Sequence, residues 1–167
     1  SKGDLMSYIW IEADGIAEVQ LNSDGLFSNN ASNPTVFSLW IGGQKVSELD
    51  SLYIQGVHNP LMRDSAAKAS FAVTTNARKE NHTGNHYMIP FFFGEDWTKV
   101  LPLVSLQYHD VEIRVKCRDG FTPNSTPKVY GNYIYLDTDE RQYFTDTEHE
   151  LLITQTQYQL ASNTDTD

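Results

Sequence analysis

From Val111 to Arg118 the chain alternates without a break, with Val111, Ile113, Val115 and Cys117 on one side and Glu112, Arg114, Lys116 and Arg118 on the other. A period of two marks a strand with one buried and one wetted face. The apolar approach Leu101-Pro-Leu-Val-Ser-Leu106 enters this strand through Gln107-Tyr-His-Asp110. Leu5 to Ile11 is different, because it is apolar or aromatic at nearly every position. Such a run predicts a central strand covered on both faces. Val36 to Ile41 again alternates, with Phe37, Leu39 and Ile41 opposed to Val36, Ser38 and Trp40, and Gly42-Gly43 then turns the backbone.

Ser47 followed by Asp50, with Leu49, Leu52, Tyr53 and Val57 at helical spacing, predicts a short capped helix from Glu48 to Val57. Tyr87 to Phe93 predicts a strand that must accommodate Pro90 at a bulge, an edge or a non-bonded position, because proline has no N–H. Lys128 to Leu136 predicts a last aromatic strand, and Asp137 with Glu140 caps one short helical turn ending near Phe144. His149 to Gln157 reads as a final extended segment. Asn22 to Pro34, Ser65 to Gly84 and Gly120 to Pro127 are rich in turn formers and read as exposed loops. No fixed-period repeat and no linker between two composition regimes is visible. Five or six strands, long polar loops and helices only as caps define an all-β class, an antiparallel β-sandwich of jelly-roll type. Residues 1–157 form one domain in this reading, and 158–167 are a polar tail or the start of a linker.

Composition narrows the function. A chain of 167 residues with 40% hydrophobic residues supports one sizeable core. The formal charge of -10, from 22 acidic and 12 basic residues, argues against a nucleic-acid partner. A single cysteine, Cys117, rules out an internal disulfide, and its place on the apolar side of a strand makes it a small core residue. No apolar run approaches the ~20 residues that span a bilayer.

Four residue sets then suggest a family. Ile41-Gly-Gly-Gln-Lys-Val46, Met88-Ile-Pro-Phe-Phe-Phe93 before a Trp-containing turn, Leu101-Pro-Leu-Val-Ser-Leu-Gln-Tyr-His-Asp-Val111, and Tyr133-Ile-Tyr-Leu-Asp-Thr-Asp-Glu-Arg141 stand in an order and spacing that resemble the first jelly roll of the major capsid proteins of nucleocytoplasmic large DNA viruses. The resemblance covers Gly3 to Gln157, and His149 to Gln157 is similar to the segment leading out of that domain. It implies two jelly rolls per chain, three chains per pseudo-hexagonal capsomer, an icosahedral shell, location in the virion, and contacts with further copies and with minor capsid proteins. It also implies that the strands opening the first jelly roll precede Ser1 and that a second jelly roll follows the tail.

Chemistry is weighed against that background. His82 and His86, with Glu95 downstream, would suit a cupin-like metalloenzyme, but the His-x-His pair of that group is missing and two solvated loop histidines explain them as well. His109, at the entry to a strand, reads as a hydrogen-bonded structural residue. Asp137, Asp139, Glu140, Asp146, Glu148 and Glu150 are numerous enough for a glycosidase pair, yet helix capping and a solvated face account for them. No Gly-x-Ser-x-Gly elbow, phosphate-binding Gly-Lys-Ser/Thr loop or dinucleotide fingerprint occurs. The expectation is therefore a non-enzyme without cofactor or metal. Asn30, Asn81 and Asn124 open Asn-x-Ser/Thr sequons in expected loops and are candidate N-glycosylation positions, with chance as the rival reading. Trp40, Tyr133 and Tyr135, on strands apolar on both faces, are candidate subunit or domain contacts. A carbohydrate-binding jelly-roll module using such aromatics is the alternative function.

Overall fold

The computed structural model describes residues 3–12, 33–62, 86–119 and 126–159, apart from the side chains of residues 55, 59, 62 and 86. Among the described residues, six strands make two antiparallel three-stranded sheets. The first sheet has the order β4-β1-β6, from β1 (Leu5–Glu12), β4 (His86–Ile89) and β6 (Lys128–Ile134). The second has the order β3-β2-β5, from β2 (Val36–Ile41), β3 (Gln44–Asp50) and β5 (Val111–Lys116). β1 is central, as its apolar run predicts. β5 carries the expected alternation, with Val111, Ile113 and Val115 half-buried and Glu112, Arg114 and Lys116 exposed.

The pleat aims one face of each sheet at the other. Met6, Ile9 and Ile11 of β1, Tyr87 and Ile89 of β4, Phe37 and Leu39 of β2, and Leu49 of β3 form the core with Phe91, Phe92, Phe93, Leu101 and Ile54. Met6 and Ile9 stand three apart and both point inward, because the β1–β6 register shifts between them. The irregularity also tucks Ser7 under the sheet, where it bonds Asn132, whose Nδ2 donates to Ser7 Oγ at 2.8 Å. The second face of β1 is covered less fully than its run of apolar residues predicts, since Tyr8 is 41% exposed.

Two elements differ from their sequence expectation. The helix placed over Glu48–Val57 begins instead at Ser51, and residues up to Asp50 belong to β3. The cause is the turn: Gly42 and Gly43 both have positive φ, 58° and 80°, as a tight hairpin of the primed kind requires. The chain thus returns directly along β2, and Leu49 is buried opposite Phe37. Sheet pairing overrides the local helical spacing, and Asp50 rather than Ser47 is the cap, its Oδ1 accepting from the Tyr53 N–H at 2.7 Å. The helical stretch consists of α1 (Ser51–Tyr53), a π-helical turn (Ile54–His58) and α2 (Asn59–Met62). The strand expected to reach Phe93 ends at Ile89, before Pro90, and a 3-10 turn takes over at Phe92–Gly94 while all three phenylalanines stay buried. Proline removes the donor a continuing ladder needs.

The last elements are closer to expectation. α3 (Thr138–Asp146) is longer than one turn, and its cap is the expected Asp137, accepting from the Glu140 N–H at 3.0 Å. Residues 148–159 form no strand. Cys117 packs half-buried against the core, and burial pushes its thiol pKa up, away from reactivity. Asn30, Asn81, Asn124, His82, and most of the three expected loops and the tail lie outside the described residues.

Phe37 is fully buried between the sheets. Phe37→Ala is expected to lose about 3–5 kcal/mol of stability, whereas Tyr108→Ala, at a residue 88% exposed, changes it by less than ~0.5 kcal/mol; chemical denaturation of both variants checks the difference.

Candidate assembly surface

A sandwich buries one face of each sheet, so the outward side chains decide what the domain can touch. On β4-β1-β6 the outward positions of the half nearest Glu12 are aromatic. Trp10 stacks on Tyr130 at 5.4 Å between centroids with the planes 7° apart, and Tyr8 lies 6.1 Å from Trp10. Met88 is the cross-strand neighbour of Trp10 on the other side. Cross-strand aromatic stacking of this kind contributes about 0.5–1.5 kcal/mol beyond area burial. Tyr130 Oη donates to Glu12 Oε2 at 2.8 Å, which raises the Tyr130 pKa, and Lys128 Nζ stands 3.9 Å from the same carboxylate. The row therefore has an apolar middle and a charged rim.

The outward face of β3-β2-β5 is mostly charged. Trp40 sits in its middle, half-buried, with its Nε1–H donating to Ser38 Oγ at 3.0 Å and the Arg114 guanidinium carbon 4.0 Å above its ring. Arg114 is held in turn by Glu112 at 2.8 Å, and Lys45 pairs with Glu48 at 2.8 Å. A cation over an exposed indole is worth about 0.5–1 kcal/mol. Trp40 is thus already occupied within its own sheet.

Tyr133 and Tyr135, two apart, have different surroundings. Tyr133 is half-buried against the core, and its ring fills space left by two glycines. A Cβ at Gly3 would stand 2.7 Å from Tyr133 Cβ, and one at Gly131 would stand 3.2 Å from Tyr133 Cε2. Tyr135 lies beyond the end of β6 and is 73% exposed. The structure does not bring Trp40, Tyr133 and Tyr135 into one patch: Trp40 belongs to one sheet and the two tyrosines to the strand and exit of the other.

Below the aromatic row, a buried carboxylate joins the start of β1 to α3. Asp4 Oδ1 accepts from Arg141 Nε at 2.9 Å, and Oδ2 accepts from Arg141 Nη2 at 3.1 Å and from the Leu136 N–H at 2.8 Å. The Asp4 main chain adds a bond to Ile134 O at 3.0 Å and receives one from the Val104 N–H at 3.0 Å. The Arg141 side chain and the Leu136 N–H hold the Asp4 carboxyl below its ordinary pKa, and the hydrogen bond to Asp4 in turn raises that of Arg141.

Catalytic chemistry finds no comparable arrangement among the described residues. No group of three His, Cys, Asp or Glu side chains there could hold a metal. Asp137 is spent as a helix cap, Asp146 accepts from Gln142, and His149 stacks on Phe144 at 4.9 Å with its Nε2 3.1 Å from the Phe144 carbonyl. His109 is exposed beside Gly42, and its main-chain N–H donates to Leu106 O at 2.9 Å. No helix of the described residues is long and apolar enough to cross a membrane.

This geometry, an antiparallel jelly-roll sandwich with structural outward faces, agrees with the comparisons. A quasi-atomic structure of the PBCV-1 virus capsid superposes with a TM-score of 0.64 at 23% identity, covering 92% of this chain and 41% of that one, which establishes the fold. The family described as major capsid protein N-terminus matches residues 2–137, and the chain belongs to it. The major capsid protein of Pyramimonas orientalis virus is 32% identical over 181 aligned positions, covering 93% of this chain. That of Paramecium bursaria Chlorella virus 1 is 28% identical over 137, covering 72% of it. The chain spans 43% and 31% of the lengths of these two relatives.

Sequence reasoning missed the row Tyr8–Trp10–Tyr130 and the Asp4 latch. A signal existed for each: Tyr8 and Trp10 alternate with Ile9 and Ile11, and Asp4 is a carboxylate immediately before a buried strand. The pKa shift sets a pH signature. Asp4 is depressed when folded, so its contribution is present above the unfolded value near 3.8 and is lost as pH falls through the lower folded value. Asp4→Asn is expected to lower the melting temperature at pH 7, with the gap to the parent closing as pH falls below about 4. A gap independent of pH would show that the carboxylate charge is not what matters.

Proposed function

We propose that this chain is the first jelly roll of a major capsid protein of a large DNA virus and serves as a structural element of the virion shell. The family match over residues 2–137, on a chain that folds as a jelly-roll sandwich, carries the reading. Its work is mechanical: two stacked sheets form a stiff wall, and outward side chains meet other copies. Its partners in this reading are further copies, arranged as homotrimeric, pseudo-hexagonal capsomers, together with minor capsid proteins. No nucleic acid and no catalysis are assigned to it. Residues 1–157 act as the domain, with 158–167 leading away from it.

Trp40, Tyr133 and Tyr135 are proposed contacts of unequal kind. Tyr135, at 73% exposure, offers its ring directly to a neighbour, while Trp40 and Tyr133 act from half-buried positions under Arg114 and against Gly3. Buried apolar surface between subunits is what holds such assemblies together.

Electron microscopy of the purified full-length protein is expected to show pseudo-hexagonal trimers; dispersed monomers at high concentration would overturn the proposal. Tyr135→Ala is expected to weaken trimer formation with little change in melting temperature, whereas Tyr133→Ala lowers the melting temperature as well. Size-exclusion chromatography with light scattering, run beside thermal melts, separates the two effects.

A further inference from the structure

β3 is an edge strand among the described residues, with only β2 hydrogen-bonded to it. An edge presents a row of outward N–H and C=O groups that readily recruits another strand. At this edge the β2–β3 register shifts between Leu39 and Trp40, whose partners are Ser47 and Lys45, so Val46 is skipped. The Val46 carbonyl is used elsewhere: it accepts from Nε2 of Gln155.

Gln155 belongs to a segment of unusual composition. After Glu148-His149-Glu150 the chain reads Leu151-Leu-Ile-Thr-Gln-Thr-Gln-Tyr158, eight residues without a charge, a glycine or a proline. Ile153, Thr154, Thr156 and Tyr158 are of the β-branched or aromatic types that favour strands. The segment nevertheless joins no ladder. It runs beside β3, where Lys45, Val46, Ser47 and Glu48 on one side and Gln155 to Tyr158 on the other line a common cleft of about 340 Å³. A second side-chain contact, from Thr154 Oγ1 to Glu95 at 3.5 Å, holds the segment farther up. Leu152 and Tyr158 remain 78% and 82% exposed.

A strand-forming, uncharged segment is thus tethered as a strap beside an edge that has no ladder partner among the described residues. We propose that residues 153–157 close the cleft and pair with the outer edge of β3 as a further strand of that sheet. The Gln155–Val46 bond marks where the two chains meet, and closure exchanges side-chain tethering for main-chain bonds. The strap thereby occupies the position that a strand of another copy would otherwise take, and it keeps the sheet from extending from molecule to molecule.

Hydrogen exchange read by mass spectrometry on the full-length protein tests this. The amides of 153–157 are expected to exchange at least ten-fold more slowly than a free chain of the same sequence. Thr156→Pro removes a main-chain donor within the strap. It is expected to abolish that protection and to speed exchange in 44–50 while leaving 36–41 unchanged. Free-chain exchange of 153–157 in the parent protein, or a Thr156→Pro variant in which 44–50 is unaffected, would overturn the proposal. So would loss of protection in 36–41 together with 44–50, because the strap would then be supporting the whole sheet and not guarding its edge.

Discussion

The pleat of β1 is the constraint on which the rest depends. This strand is hydrogen-bonded on both sides, to β4 and to β6, so its register fixes which side chains of the first sheet face inward. A slip of one residue would exchange the two sets, placing Trp10 in the core and Ile9 and Ile11 in water. The irregularity between Met6 and Ile9 matters for the same reason. It allows Met6, paired with Tyr133, and Ile9, paired with Gly131, to point the same way although they are an odd number of residues apart.

From that register follow both surfaces. One outward face becomes an aromatic row with a Glu12 and Lys128 rim, the other a lattice of ion pairs around Trp40. The contrast is physical and not only descriptive. Exposed ion pairs of the Lys45–Glu48 kind contribute little to stability and lose strength in salt, whereas stacked rings retain their attraction for apolar surface. The two faces of the sandwich would therefore respond oppositely to ionic strength in any association they take part in.

Much of the fold was legible in the sequence because period-two alternation is a local property. Val36–Ile41 and Val111–Lys116 are found where the alternation places them, and Asp137 caps the helix it was expected to cap. The failures came where a distant partner decides. Ser47 and Asp50 have the spacing of a helix cap for Glu48–Val57, but pairing with β2, turned toward it by Gly42-Gly43, keeps the chain in β3 up to Asp50. The surroundings of the aromatic candidates are likewise set by distant residues: alternation along the chain puts Trp40 and Tyr133 on strands, but does not say that Arg114 covers one and that Gly3 and Gly131 cradle the other. The Asp4–Arg141 pair joins residues 137 positions apart, beyond the reach of any window along the chain.

That pair has a mechanical meaning as well. Arg141 Nε, Arg141 Nη2 and the Leu136 N–H all converge on one carboxylate. A tensile load between the start of β1 and α3 is therefore divided among three bonds that must fail together, as in a riveted joint, and not one after another as in a peeled seam. The junction thereby braces the corner where the strand, its exit turn and the helix meet.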